Sequence, residues 1–161
     1  MSRPSDSHDN SSEQVFLYPV THTMPTPFKT SIQVRFGDTD MLGHVNNAAF
    51  VQYLEHARLE WIRAQHARGL GPIHIVLVNI RVDYRHEIVL GQEVEVELWP
   101  TRVGRSSFDF EYWVLADGQV CAEAHSVQVC VHKGTLSPQA VDEALRSVLE
   151  VEIGEQLTGN R

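Results

Sequence analysis

Long apolar runs are missing from this chain: nowhere in its 161 residues do roughly 18 consecutive apolar residues occur, the length a membrane-spanning helix requires. The N-terminus also lacks the apolar core of a secretory signal. These absences lead us to expect a soluble, cytoplasmic protein with no membrane partner. Cysteine is scarce. Cys121 and Cys130 lie nine residues apart in what reads as one extended segment, about 30 Å from each other and on opposite faces. That is too far for a disulfide, so two reduced thiols are expected. Basic residues are outnumbered, thirteen Lys and Arg against twenty-one Asp and Glu, for a formal charge of -8. This balance argues against affinity built on counterion release from DNA or RNA. A small anionic ligand needs only a few arginines gathered locally. Metal spacings are lacking too: nine histidines supply no H-x-H or H-x-x-x-H, and the cysteines form no C-x-x-C. No metal site is expected.

What is present fits one domain of ordinary size. Residues 1–27 are rich in Ser, Pro, His and Asp, with only the apolar island VFLYPV, and read as a disordered tail. Residues 28–161 read as a single domain. Ile32, Val34 and Phe36 alternate with Gln33 and Arg35, the period of a half-buried strand ending at Gly37. Asn46 and Asn47 then offer caps for a helix from about Ala48 to Arg68, which Gly69 stops. Phe50, Leu54, Ala57 and Trp61 share one face of it, widened by Val51 and Ile62.

Four further alternating runs follow, centred on Val76–Tyr84, Val94–Leu98, Phe108–Val114 and Ala122–Val131. The parity of the last changes near His125, which predicts a bulge there. Breaks at Leu90-Gly91-Gln92, Arg102-Val103-Gly104-Arg105 and Ala116-Asp117-Gly118-Gln119 read as short links between antiparallel neighbours, and Asp-Gly is a strong hairpin signal. A last helix is predicted from Pro138 to about Glu150. The order is α+β: one curled antiparallel sheet packed on a mostly buried helix.

VRFGDTDMLGHVNNAAFVQYLEHARLEW, Val34 to Trp61, resembles the active-site signature of hotdog-fold acyl-CoA thioesterases of the 4-hydroxybenzoyl-CoA thioesterase type. Asp-Thr-Asp, Gly-His-Val-Asn-Asn and the helical Tyr53, Glu55, Ala57 and Arg58 carry the match. VDYRHEIVLGQEVEVE and VGRSSFDFEY resemble that family's central strands, so the likeness spans about Lys29 to Lys133. It implies the hotdog fold, with the sheet wrapped around the long helix, and hydrolysis of an acyl-CoA to free acid and CoA. CoA then arrives as part of the substrate, with no separate cofactor. The resemblance places the catalytic carboxylate at Asp40 and the polarising N-H at Asn47, and the nucleotide end of CoA near Arg102, Gly104, Arg105, Ser106 and Ser107. Arg85 and His86 are further candidates. It also implies a homodimer or homotetramer with sites completed by the partner.

Thioester cleavage needs an oxygen nucleophile and a donor for the charge that develops on the carbonyl oxygen. Asp40, just ahead of the helix, either deprotonates water or attacks directly. Asp38 is expected to brace the turn through backbone donors. The first helical turn carries N-H groups without intrahelical acceptors at the positive end of the dipole, a ready oxyanion site. Gly43 lets backbone approach the substrate. His44 holds the carbonyl, positions water or donates a proton. Glu55 lies about 12 Å along the axis from Asn47, and is either a second base, as in some members of the wider fold, or a partner of Arg58 or of a neighbouring subunit.

Each feature has a plainer reading. The polar cluster alone could be turn and cap, and the arginines could be solvated. Asp38-Thr39-Asp40 matches the D-x-D of aspartyl-phosphate enzymes, but that motif closes a parallel strand rather than an alternating one. G-x-S-x-G, Walker A and Rossmann patterns are absent. Mid-strand cysteines have no activating helix terminus. Two alternatives to an acyl-CoA thioesterase stay open: a non-catalytic acyl-CoA sensor, and a thioesterase for acyl-carrier protein.

Overall fold

The computed structural model describes residues 26–158, so nearly all of the predicted tail lies outside the described residues. Strands and helices follow in the order β1 (Phe28–Ile32), α1 (Asn47–Ala67), β2 (Ile75–Tyr84), β3 (Val94–Val103), β4 (Ser107–Ala116), β5 (Gln119–Cys130) and α2 (Glu143–Thr158). A 3-10 turn at Phe36–Asp38 precedes α1. The five strands pair antiparallel in the order β1-β3-β4-β5-β2, and the sheet curls about α1 as the hotdog arrangement requires. No helix among the described residues is long and apolar enough to cross a membrane.

The predicted face of α1 is the buried one. Phe50, Leu54, Ala57 and Trp61 meet the inner face of the sheet at Val96, Leu98, Phe108, Phe110, Tyr112 and Val114. Trp61 stands edge-on to Phe110, ring centres 5.0 Å apart. Each fully buried side chain of this size contributes about 1.5–3 kcal/mol.

Two polar residues share that face. Arg58, 6% exposed, donates through Nη1 to Tyr112 Oη at 3.3 Å, and Tyr112 Oη pairs with Ser126 Oγ at 2.6 Å. Gln128 adds a bond to the same serine, so a buried polar line runs from the middle of α1 to β5. Near the other end, Trp61 Nε1 and Gln65 Nε2 donate to Glu152 of α2 at 3.2 and 3.1 Å.

Several expected boundaries move. The first strand is Phe28–Ile32, paired with Val94–Leu98, and not Ile32–Phe36. The chain leaves the sheet because the buried Asp38 carboxylate accepts from the Arg35 N-H (2.9 Å) and the Tyr53 hydroxyl (3.0 Å), which winds Phe36–Asp38 into a 3-10 turn and leaves Phe36 83% exposed. The bulge in β5 falls at Cys121 rather than His125, where the register with β4 slips between Val114 and Leu115. Beyond it Ala122, Ala124, Ser126, Gln128 and Cys130 are buried, so the polar line takes inward positions that Val127 and Val129 were expected to fill. Both free cysteines are buried.

Leu90-Gly91-Gln92 does not join neighbouring strands, since β2 pairs with β5 and the link to β3 crosses the sheet. The Asp-Gly hairpin is as predicted: Asp117 and Gly118 both take positive φ (49° and 81°), the turn whose twist suits antiparallel strands. The last helix begins at Glu143, not Pro138. Pro138 bridges to Val131 and Gln139 N-H bonds Cys130 O, so this stretch continues beside β5 before Asp142 Oδ1 accepts from Leu145 N-H to start the helix.

Candidate active site

The loop before α1 is a miniature hairpin. Thr39 bridges Val45, Asp40 N-H donates to His44 O at 2.8 Å, and Gly43 turns the chain at φ 81°, a conformation open to glycine. Asp40 Oδ1 stitches the turn from inside, accepting from Leu42 N-H (2.8 Å) and His44 N-H (3.2 Å). Its Oδ2 has no hydrogen bond among the described residues, and the side chain is exposed.

Asp38, the expected brace, is buried beneath this hairpin. Burial pushes its carboxyl up, but the Arg35 N-H, the Tyr53 hydroxyl and the Arg35 guanidinium outweigh that and hold it below the usual range. Burial and the Asp38 charge push Tyr53 far up in turn, which keeps it a donor. The Asp38 carbonyl takes Asn46 N-H at 2.7 Å, tying the hairpin to the head of α1.

At that head the donors are accounted for one by one. Asn46 is the N-cap: its Oδ1 accepts from Ala48 N-H at 2.9 Å and its carbonyl from Ala49 N-H at 2.8 Å. Asn47 N-H has no acceptor among the described residues. Asn47 borders a cavity of about 290 Å³, together with Asp40, His44, Phe50, Tyr84, Arg85 and His86. An open N-H at a helix start and an ionisable carboxylate therefore share one small cleft, the pairing that acyl transfer needs. His44 lies between them on the chain, half-buried and bridged to Val89.

Other predicted residues sit elsewhere. Glu55 is exposed and outside the cleft, and it does not pair with Arg58, whose guanidinium turns inward to Tyr112. Arg102, Gly104, Arg105, Ser106 and Ser107 form the β3–β4 turn at the opposite end of the sheet, a strand length or about 30 Å from Asp40 in the same chain. Arg102 is also engaged, donating to Asp109 at 3.0 and 2.7 Å. Arg85 borders the cleft but pairs with Glu123 at 3.0 Å. Tyr84 is the border residue that sequence reasoning took only for a strand position; its partner is a backbone carbonyl, which leaves no signal in a pattern of side chains. Among the described residues no group of three or more His, Cys, Asp or Glu is arranged to hold a metal ion.

Residues 34–149 match the family model described as the thioesterase-like superfamily. The chain belongs to that superfamily. The long-chain acyl-CoA thioesterase FadM of Escherichia coli K12 is 31% identical over 133 residues, covering 76% of this chain and 96% of FadM. The 1,4-dihydroxy-2-naphthoyl-CoA hydrolase of Synechococcus elongatus is 28% identical over 127 residues, covering 73% and 91%. A crystal structure of a thioesterase from Thermus thermophilus, complexed with coenzyme A and Zn, superposes with a TM-score of 0.68 at 35% identity, covering 78% of this chain and 93% of that one. This superfamily member is a thioester hydrolase with the hotdog fold.

Proposed function

We propose that the protein hydrolyses an acyl-CoA thioester to the free acid and CoA at the cleft ahead of α1, in the cytoplasm and without a metal. The observation that carries this reading is that Asn47, whose N-H has no acceptor among the described residues, borders the same 290 Å³ cavity as Asp40. In the mechanism, the thioester carbonyl oxygen lies on Asn47 N-H. Asp40 Oδ2 either takes a proton from the attacking water or attacks the carbonyl carbon itself. The C–S bond then breaks and the CoA sulfur leaves as a thiolate. On the first route it takes the proton that Asp40 removed from water; on the second a water opens the mixed anhydride left on Asp40, its hydroxyl going to the acyl carbon and its proton to the thiolate. One oxyanion donor is worth about 10²–10³ in rate. His44 assists at the carbonyl or the water.

Dimerisation accounts for the distant arginines. Of the two sheet edges, β2 is ten residues long and carries Leu77 and Val78 exposed, the latter at 57%. An edge of that length with exposed apolar side chains, and no strand beside it among the described residues, invites a second strand. Antiparallel pairing of two β2 strands about a two-fold axis sets the Tyr84 end of one against the Ile75 end of the other. That brings the Arg102–Ser107 turn of the partner towards the Asp40 cleft, where it can meet CoA phosphates. The two free buried thiols are consistent with a reducing compartment.

The test is release of free thiol from a panel of short-, medium- and long-chain and aromatic acyl-CoAs, with acylated carrier protein as comparison. Asp40→Asn is expected to lower kcat at least 100-fold. A silent panel, or an Asp40→Asn variant at full rate, sinks the proposal. Light scattering should give at least a dimer, and Val78→Asp should shift it towards monomer; a monomeric parent contradicts the shared site. Activity unchanged by prolonged chelation is expected of a metal-free reaction.

A further inference from the structure

The last residue of β2 reaches across to the first residue of α1. Tyr84 Oη donates to the Asn47 carbonyl at 3.0 Å, and its ring stands edge-on to Phe50, centroids 5.1 Å apart at 86°. Tyr84 borders the same cleft as Asp40 and His44 while 44% exposed. A helical carbonyl of the first turn has an acceptor role inside the helix already, so this second bond is not needed to satisfy it.

What the bond does is positional. The first turn of a helix is the part that frays, and here its leading N-H has no acceptor to hold it. The Asn46 cap secures that turn from within the chain. Asp38 secures it to the preceding hairpin through Asn46 N-H. Neither ties it to the sheet. Tyr84 does, binding the residue whose other peptide group presents the open donor. The phenol polarises the peptide between Asn47 and Ala48, not the one bearing Asn47 N-H, so any effect on that donor comes through its placement.

Building on the proposed oxyanion role of Asn47, we propose that Tyr84 is a positioning residue that fixes the first turn of α1 against the sheet and so aims the Asn47 N-H at the reacting carbonyl. It need not touch the reacting atoms. Misplacement of a catalytic group by a fraction of an ångström is costly in rate while leaving most ground-state binding intact.

Tyr84→Phe keeps the ring against Phe50 and removes only the hydroxyl. With the acyl-CoA of the panel that is hydrolysed fastest, kcat is expected to fall about tenfold while KM changes less than about twofold. The second readout is infrared. In the inactive Asp40→Asn background, the carbonyl stretch of that acyl-CoA, ¹³C-labelled at the thioester, should be lowered on binding. Adding Tyr84→Phe should return it part of the way towards its value in water. An unchanged kcat and stretch overturns the proposal, and so does a rate loss matched by lost thermal stability with the stretch unmoved. The parent reading is scored separately. If Asp40→Asn abolishes turnover and Tyr84→Phe does nothing, only the positioning role fails; if Asp40→Asn is fully active, or no acyl-CoA is cleaved, both fail.

Discussion

Removing the carboxylate of Asp38 should cost more than a surface charge of its kind, and a measurable part of that cost should pass through Tyr53. Asp38 is buried and accepts from Arg35 N-H at 2.9 Å and Tyr53 Oη at 3.0 Å. A hydrogen bond to a charged group contributes about 1.5–3 kcal/mol, and a buried hydroxyl left without an acceptor costs about 1–3 kcal/mol. Asp38→Ala should therefore lose about 3 kcal/mol in urea unfolding, and Tyr53→Phe about 1 kcal/mol. In the double variant the stranded hydroxyl is gone, so its total should fall short of the sum of the singles by about 1 kcal/mol or more. Additivity within about 0.5 kcal/mol would mean that the two side chains do not act as a pair, and the account of the turn would be refuted. The pH dependence gives a second check. A carboxyl held below its ordinary value of 3.8 contributes stability that is present above that pH and lost as pH falls through the lower folded value. The gap between the parent and Asp38→Asn should thus be full at pH 7 and close below pH 3.8.

The remaining predictions concern three other places. Arg58→Met should change stability by no more than about 1 kcal/mol, since Tyr112 keeps its bond to Ser126, whereas Tyr112→Phe strands the buried Arg58 guanidinium, Ser126 keeping its bond from Gln128, and should cost about 2 kcal/mol in the same unfolding assay. Burial pushes the Glu152 carboxyl up, against the lowering effect of Trp61 and Gln65. Its folded value lies above the ordinary 4.5, so it favours the folded state at low pH and this help fades as pH rises through the folded value; Glu152→Gln should flatten the stability profile above pH 4.5. Gly118→Ala places a Cβ at φ 81° and should lower stability by about 1 kcal/mol, measurable as a lower Tm with unchanged kcat.

The parts of the fold legible in the sequence are those where a side chain's own chemistry decides. The apolar spacing of Phe50, Leu54, Ala57 and Trp61 names the buried face of α1, and Asp117-Gly118 names its turn. Asn46 marks the helix start because its oxygen does the capping. What escaped reading depends on contacts distant in sequence. Ile32-Gln33-Val34-Arg35-Phe36 alternates like a strand, yet Tyr53, fifteen residues on, pulls Asp38 inward and ends the pairing early. The inward turn of Ser126 and Gln128 follows from one extra residue at Cys121 and from Arg58 on another element, and neither shows in the periodicity of β5. For the cleft, the Asp40, His44 and Asn47 cluster lies within one short stretch and was visible. The distance of Arg102–Ser107 from it was not, because strand order rather than spacing determines which ends of a sheet meet.

The Arg58–Tyr112 bond reaches further than its own surroundings. Eleven residues separate Arg58 from Asn47, roughly 16 Å along a rigid α1. A helix resting on apolar side chains alone can slide or roll by small amounts at little cost, because such contacts have no direction. A directed bond at mid-length restricts that freedom, beside those that Tyr84 and Glu152 make at the two ends, and the head of the helix inherits part of the setting. The rate of this thioesterase should therefore respond to substitutions in the middle of its core that barely alter how tightly it folds, as a rudder turns a bow it never touches.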